Sequence, residues 1–100
     1  MRRPRHQNVN RLWIARKKAG LGQKSVARLL GHKSPSPISE YETGRLLPNL
    51  RTALKLAVIY RTALPDLYIT LQRQIEDEIA AMRKKLPMTH IQVREGAPHA

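Results

Sequence analysis

Fourteen of the 19 Lys and Arg residues lie within residues 1–61, where only two carboxylates occur. Residues 62–100 hold five charges of each sign. The whole net charge of +12 therefore sits in the first part of the chain. The chemistry such a cluster supports is contact with a polyanion, because clustered cations displace the counterions of phosphates. Bond-making chemistry lacks its usual parts. There is no cysteine, which excludes disulfides, thiolate zinc sites and a Cys nucleophile. No glycine loop suits a phosphate, and no His pair has metal-ligand spacing. His32 in particular has no second ligand nearby in sequence. Glu76-Asp77-Glu78 lies between Ile75 and Ile79 and reads as the solvated face of a helix. The expectation is a non-enzyme without cofactor or metal.

The elements that would hold these side chains are helices. Val9, Leu12, Trp13, Ala15 and Ala19 fall mostly on one helical face, which predicts a first helix over about Val9–Ala19, ended by Gly20. A second helix is expected over Gln23–Leu30, with Val26, Ala27 and Leu30 buried and Gly31 as its stop. Ser34 as cap and Pro35 in the first turn predict a third helix over Pro35–Thr43, closed by Gly44. Ile38 and Tyr41 would face inward. Asn49 should cap a fourth helix whose core stripe is Leu50, Ala53, Leu54, Ala57 and Tyr60. After a break at Thr62–Pro65, Tyr68, Leu71, Ile75, Ile79, Met82 and Leu86 recur at three- and four-residue steps to Pro87, an amphipathic seam with a break near Thr70. Residues 1–7 read as a flexible basic arm in which Arg2, Arg3 and Arg5 are placed to reach a minor groove. The tail 87–100 reads as disordered, with a short strand around Ile91 and Val93 as the alternative. No apolar run approaches the length of a membrane span, and the charged start is not followed by the apolar segment of a secretory signal.

Within this order, Gly20–Pro48 has the outline of a helix–turn–helix: two short helices, a Gly-bearing turn, and a second helix with few large side chains outside. That arrangement lets a helix N-terminus enter the DNA major groove. His32 and Lys33 lie beside the start of the third helix, where backbone N–H groups and positive charge favour phosphate.

The positions Arg16, Gly20-Leu21, Gln23, Ala27, Leu30-Gly31, Ile38-Ser39, Tyr41-Glu42, Gly44, Pro48, the Leu54–Ala57 stripe and Leu67 carry a resemblance in register. Over about Arg11–Tyr68 the chain resembles the Xre-type helix–turn–helix family, the fold of small phage repressors and Cro proteins. The phrases Leu-Gly-His-Lys-Ser and Ser-Glu-Tyr-Glu-Thr-Gly-Arg are especially like a bacterial subgroup. The resemblance implies an all-α fold: a five-helix lambda-repressor-like DNA-binding domain, here with a C-terminal helical extension. It also implies sequence-specific binding of double-stranded DNA, usually as a dimer. By the resemblance, Gln23, with Lys24 beside it, meets the DNA backbone and braces a recognition-helix contact. Ser36, Ser39 and Glu40 take the base-reading face, with Ser34 at its start. Arg45 and Arg51 take phosphates, and Arg16 and Glu42 form an inward ion pair. Three features depart from the family. Glu40 stands where Arg or Lys is commoner, and either accepts from a base such as cytosine or pairs with an Arg such as Arg45. Pro37 stands where Thr is common and removes a hydroxyl. The turn before Ile38 is one residue longer.

The expected organisation is an arm at 1–7, a DNA-binding domain at 8–68, a dimerisation helix at 69–86 and a tail at 87–100. The leading reading is a dimeric repressor acting in the cytoplasm at the nucleoid, with 66–86 as the homodimer seam. The alternative is an antitoxin-like adaptor whose seam binds a partner protein.

Overall fold

The computed structural model describes residues 9–86, and among these the chain forms six helices and no strand. In order they are α1 (Leu12–Lys18), α2 (Gln23–Leu30), α3 (Ser36–Thr43), α4 (Leu50–Tyr60), α5 (Leu64–Leu67) and α6 (Ile69–Arg83). The all-α expectation holds. The arm at 1–7 and the tail at 87–100, with Ile91 and Val93, lie outside the described residues.

The helix boundaries follow local hydrogen bonding. α1 begins later than the apolar pattern suggested, at Leu12 rather than Val9. The reason is Asn10, whose Oδ1 accepts from the Leu12 backbone N–H at 2.9 Å and so ends the preceding backbone course. α2 has the expected bounds. α3 starts at Ser36, one residue late, and Ser34 does not cap it. Pro35 takes the cap position instead, and its carbonyl accepts from Ile38 and Ser39. Asn49 caps α4 as expected, its Oδ1 accepting from Thr52 N–H at 2.8 Å.

The first four helices close alike. At Leu21, His32, Arg45 and Thr62 the backbone N–H reaches back to Arg16, Ala27, Glu40 and Ala57. That is the Schellman closure, which needs a left-handed residue just before the returning N–H. Glycine supplies it three times, and Arg61 supplies it after α4 at φ 51°. At Gly44 the demand is double. Its φ is 82°, and a Cβ there would come within 3.1 Å of the Val9 side chain.

The core is one cluster built from every helix but α6: Leu12, Val26 and Ala27, Leu30, Ile38, Tyr41, Leu56, Tyr60 and Leu67. On α4 the buried stripe is Ala53, Leu56 and Tyr60, not the expected Leu50 and Leu54, which are exposed. The sequence of α4 is apolar on more than one face, so periodicity alone allowed either rotation. Of the expected break at Thr62–Pro65, Thr62 and Ala63 lie outside any helix, while Leu64 and Pro65 open α5, since Pro is tolerated in a first helical turn. The expected break near Thr70 falls at Tyr68, whose φ of −125° separates α5 from α6.

α6 is divided between two environments. Leu71 and Gln72 pack at its root, lining with Leu47, Leu50 and Leu64 an apolar groove between α4, α5 and α6. Beyond them every residue from Arg73 to Leu86 is exposed. Ile75, Ile79, Met82 and Leu86 keep 45–57% of their surface in solvent.

Candidate nucleic-acid interface

α3 is the element that presents a face outward. Ile38, Tyr41 and Glu42 are buried on one side. Ser36, Ser39 and Glu40 stand three and four residues apart, which places them together on the opposite side. Ser36 and Glu40 are exposed and Ser39 is half-buried.

What holds α3 in place is a buried ion pair. Arg16 Nε on α1 donates to Glu42 Oε2 at 2.6 Å, and Nη2 donates to Oε1 at 3.2 Å. The third guanidinium nitrogen, Nη1, donates to the Leu21 carbonyl at 3.1 Å. Gln23 Nε2 donates to Glu42 Oε1 at 3.2 Å. The fork geometry of guanidinium on carboxylate fixes orientation as well as distance. One carboxylate thus ties together the end of α1, the start of α2 and α3. The inward pair expected for Arg16 and Glu42 is present, and Gln23 joins it from the start of α2. The Gln23 amide keeps a second hydrogen for another acceptor.

A tie that the sequence did not announce is Asn10. While its oxygen caps α1, its Nδ2 donates to the Tyr41 carbonyl at 2.9 Å. It is 4% exposed. The signal is the residue type: Asn side chains accept from the backbone N–H two residues on.

The basic side chains fall into separate groups. Lys24, His32, Lys33 and Ser34 line one shallow cleft along α2 and the turn that follows. Arg28 joins them, four residues after Lys24 on the same face of α2. Sequence reasoning passed over Arg28, although its spacing from Lys24 was a usable signal. His32 is turned inward. Its ring lies 6.4 Å from that of Tyr41, and its Nε2 is buried without a hydrogen-bond partner. Arg45 is exposed just past α3. Its backbone N–H is held by the Glu40 carbonyl at 3.0 Å, so the guanidinium is the group left for an anion. Arg51 lies apart from the cleft. It lines a second hollow with Leu29, Leu54, Lys55, Val58 and Ile59.

Among the described residues Glu40 forms no ion pair. Among the described residues the one salt bridge is Arg16–Glu42, so the alternative of a pair between Glu40 and Arg45 is not realised. Pro37 removes a backbone donor from the first turn of α3. Among the described residues no helix is long and apolar enough to cross a membrane, and no group of three or more potential ligands is placed for a metal ion.

A family model described as helix-turn-helix matches residues 14–67, more than half of the chain. The comparison with curated proteins gave no match. The matched span runs from within α1 to the end of α5 and takes in the whole ion-paired frame around α3, so the chain belongs to the Xre or lambda-repressor-like helix-turn-helix family of DNA-binding regulators.

Proposed function

We propose that this protein is a dimeric repressor that binds double-stranded DNA sequence-specifically, with α3 in the major groove. The observation that carries the reading is the outward face of α3, with Ser36, Ser39 and Glu40 together beside a cleft lined by Lys24, Arg28 and Lys33. Serine hydroxyls serve phosphate or base edges, and a free Glu40 carboxylate accepts from cytosine N4. Lys24, Lys33, Arg45 and the turn residues Ser34 and His32 then lie on or near the phosphates, with Gln23 between backbone and brace. Arg51, at the start of α4, takes a more distant phosphate. Residues 8–68 form the DNA-binding unit and 69–86 the dimerisation helix, with basic and polar extensions at 1–7 and 87–100. Its place of action is the cytoplasm, on the nucleoid. The family is generally non-enzymatic.

A second reading is an antitoxin-like adaptor that uses the same fold and binds a partner protein through 66–86. It draws support from a separate apolar patch, Leu29, Leu54 and Val58, which remain 61%, 48% and 77% exposed.

The test is fluorescence anisotropy with DNA from upstream of the protein's own gene, against a scrambled duplex across a salt series. Preference for the upstream duplex is expected to survive at physiological salt. Arg45→Ala should weaken binding to every duplex and lower the salt slope by about one. Ser39→Ala and Glu40→Ala should change preference among sequences with little change in slope. Equal binding to both duplexes, lost with salt, would defeat the repressor reading and favour the adaptor.

A further inference from the structure

The far half of α6 carries charge in blocks. Arg73 is followed by Glu76-Asp77-Glu78, and then by Arg83-Lys84-Lys85 at the helix end. Ile75, Ile79, Met82 and Leu86 form a stripe at spacings of four, three and four, the pattern of a two-helix seam. Apart from Ile75, which reaches the rim of the groove at the root, the described residues of this half are exposed, so its apolar stripe faces solvent. Glu76 and Arg83 flank the stripe on one side, and Glu78 and Lys85 on the other.

We infer that α6 pairs with α6 of a second copy in antiparallel orientation, about a two-fold axis level with Ala80 and Ala81. This rests on the dimer reading above and adds its direction and register. The register is set by two independent patterns that agree. Seating Ile79 opposite Met82 of the second copy also seats Ile75 opposite Leu86. The same alignment brings the acidic block of each helix level with the basic block of the other. In antiparallel pairs each flank meets the like-placed flank of its partner, so Glu76 faces Arg83 and Glu78 faces Lys85. The two-fold axis repeats both pairs, because a contact from one residue to another is returned in reverse. A parallel, in-register pair places the two 76–78 blocks side by side. It retains only Glu78 with Arg83, and it leaves Glu76 beside Leu71. Opposite-charge complementarity therefore selects the antiparallel form.

The arrangement has a consequence for DNA. Helix rise separates the two Ile69 residues, where α6 leaves each domain, by about 35 Å along the paired helices. Centre-to-centre half-sites one turn apart lie about 34–36 Å apart on DNA. Antiparallel α6 helices thus hold two DNA-binding domains at the repeat of the duplex. The two-fold axis, perpendicular to the pair, puts both domains on the same side. Leu86 of the second copy arrives beside Ile75, at the mouth of the apolar groove that Leu47, Leu50 and Leu71 line.

The chain has no cysteine, so one can be introduced without interference. The full chain carrying Thr70→Cys, at an exposed position near the start of α6, is spin-labelled. Its oligomeric state is read by sedimentation and its label separation by pulsed electron resonance. The antiparallel pair gives a separation of about 32 Å from helix rise, and a parallel pair roughly 20 Å or less. Two variants test the charges: Glu76→Lys with Glu78→Lys, and Arg83→Glu with Lys85→Glu. Each alone should be monomeric, and their mixture should dimerise. All four sites are exposed and lie away from the core, and circular dichroism checks the fold. A dimer with the short separation, or charge variants that dimerise as well alone as mixed, would overturn the antiparallel pairing and leave dimerisation standing. A monomer at the highest concentration reached would overturn both. DNA preference in the anisotropy assay is read separately and distinguishes either failure from failure of the repressor reading.

Discussion

Arg16 and Glu42 show how one buried charge pair positions a reading surface. They are 6% and 1% exposed, and all of their described partners lie within the domain. Taking two charges out of water costs several kcal/mol, and the bidentate geometry with the Leu21 and Gln23 contacts offsets that cost. Removing one partner leaves the other charged and buried. Glu42→Gln or Arg16→Met should each destabilise the domain by about 3–5 kcal/mol. The joint variant Arg16→Met with Glu42→Leu should lose far less than the sum, since neither charge is then stranded. Urea unfolding of the three variants measures the coupling, and additive losses would mean that the pair is not a unit. The identity of this pair was legible in the sequence through the family resemblance. The third and fourth contacts, to the Leu21 carbonyl and from Gln23, depend on how the turn folds over the end of α1. The inward turn of His32 belongs to the same class, because nothing in a lone His beside Lys33 says which way its ring points.

Among the elements, α1 and α3 are joined at their far ends by Asn10. Its oxygen satisfies a helix N–H, and its amide satisfies the Tyr41 carbonyl. Asn10→Ala should cost about 1–2 kcal/mol, from a lost cap and a lost buried hydrogen bond. Asn10→Asp keeps the cap oxygen but sets a buried, unpaired carboxylate against the Tyr41 carbonyl, and should cost more than Ala. Thermal unfolding of both variants checks the order. An Asp variant more stable than Ala would show that the cap outweighs the tie to α3. The helix stops at Gly20, Gly31 and Gly44 were readable because only a left-handed residue permits the closure. Arg61 performs the same closure without a glycine, so composition gave no sign of it. In α4 the expected Ala53 and Tyr60 are buried and Ala57 packs beside them, but Leu56 takes the place of Leu50 and Leu54 in the core. Leu50, Leu54, Leu56 and Val58 are all apolar, and which of them is buried depends on where α2 and α5 pack.

For the molecule as a whole, the core is closed by tyrosines as well as aliphatics. Burial raises the Tyr60 hydroxyl well above its ordinary pKa of 10.0, and the nearby Glu42 charge raises it further while Arg16 opposes. Burial, with a smaller contribution from Tyr41, pushes Tyr68 up to about 12. Both groups hold their protons longer in the folded chain than in the unfolded one. Stability from this source is therefore complete below pH 10 and is lost as pH rises through the folded values. Alkaline unfolding should begin above pH 10, and Tyr68→Phe should shift its midpoint upward. The Tyr68 hydroxyl is buried without a hydrogen-bond partner, so its removal should not destabilise the domain at neutral pH. Circular dichroism across an alkaline titration reads both, and a midpoint lowered in Tyr68→Phe would contradict the burial argument. The charge asymmetry has an equally global meaning. The cations gather in the residues that build the helix-turn-helix, and the charge-balanced part supplies α6.

By itself the sequence determined the helical class, the bounds of α2, the end of α3, the cap at Asn49 and the family. Each rests on local chemistry: glycine in left-handed closures, side-chain oxygens at helix starts, apolar spacing, and residue types in register. Only the tertiary structure decided which face of α4 is buried, that Pro35 rather than Ser34 takes the cap position of α3, and that Glu40 pairs with no described residue. Only it divided α6 into a packed root and an exposed far half. Those outcomes depend on neighbours distant in the chain, and a one-dimensional pattern carries no record of which neighbour arrives.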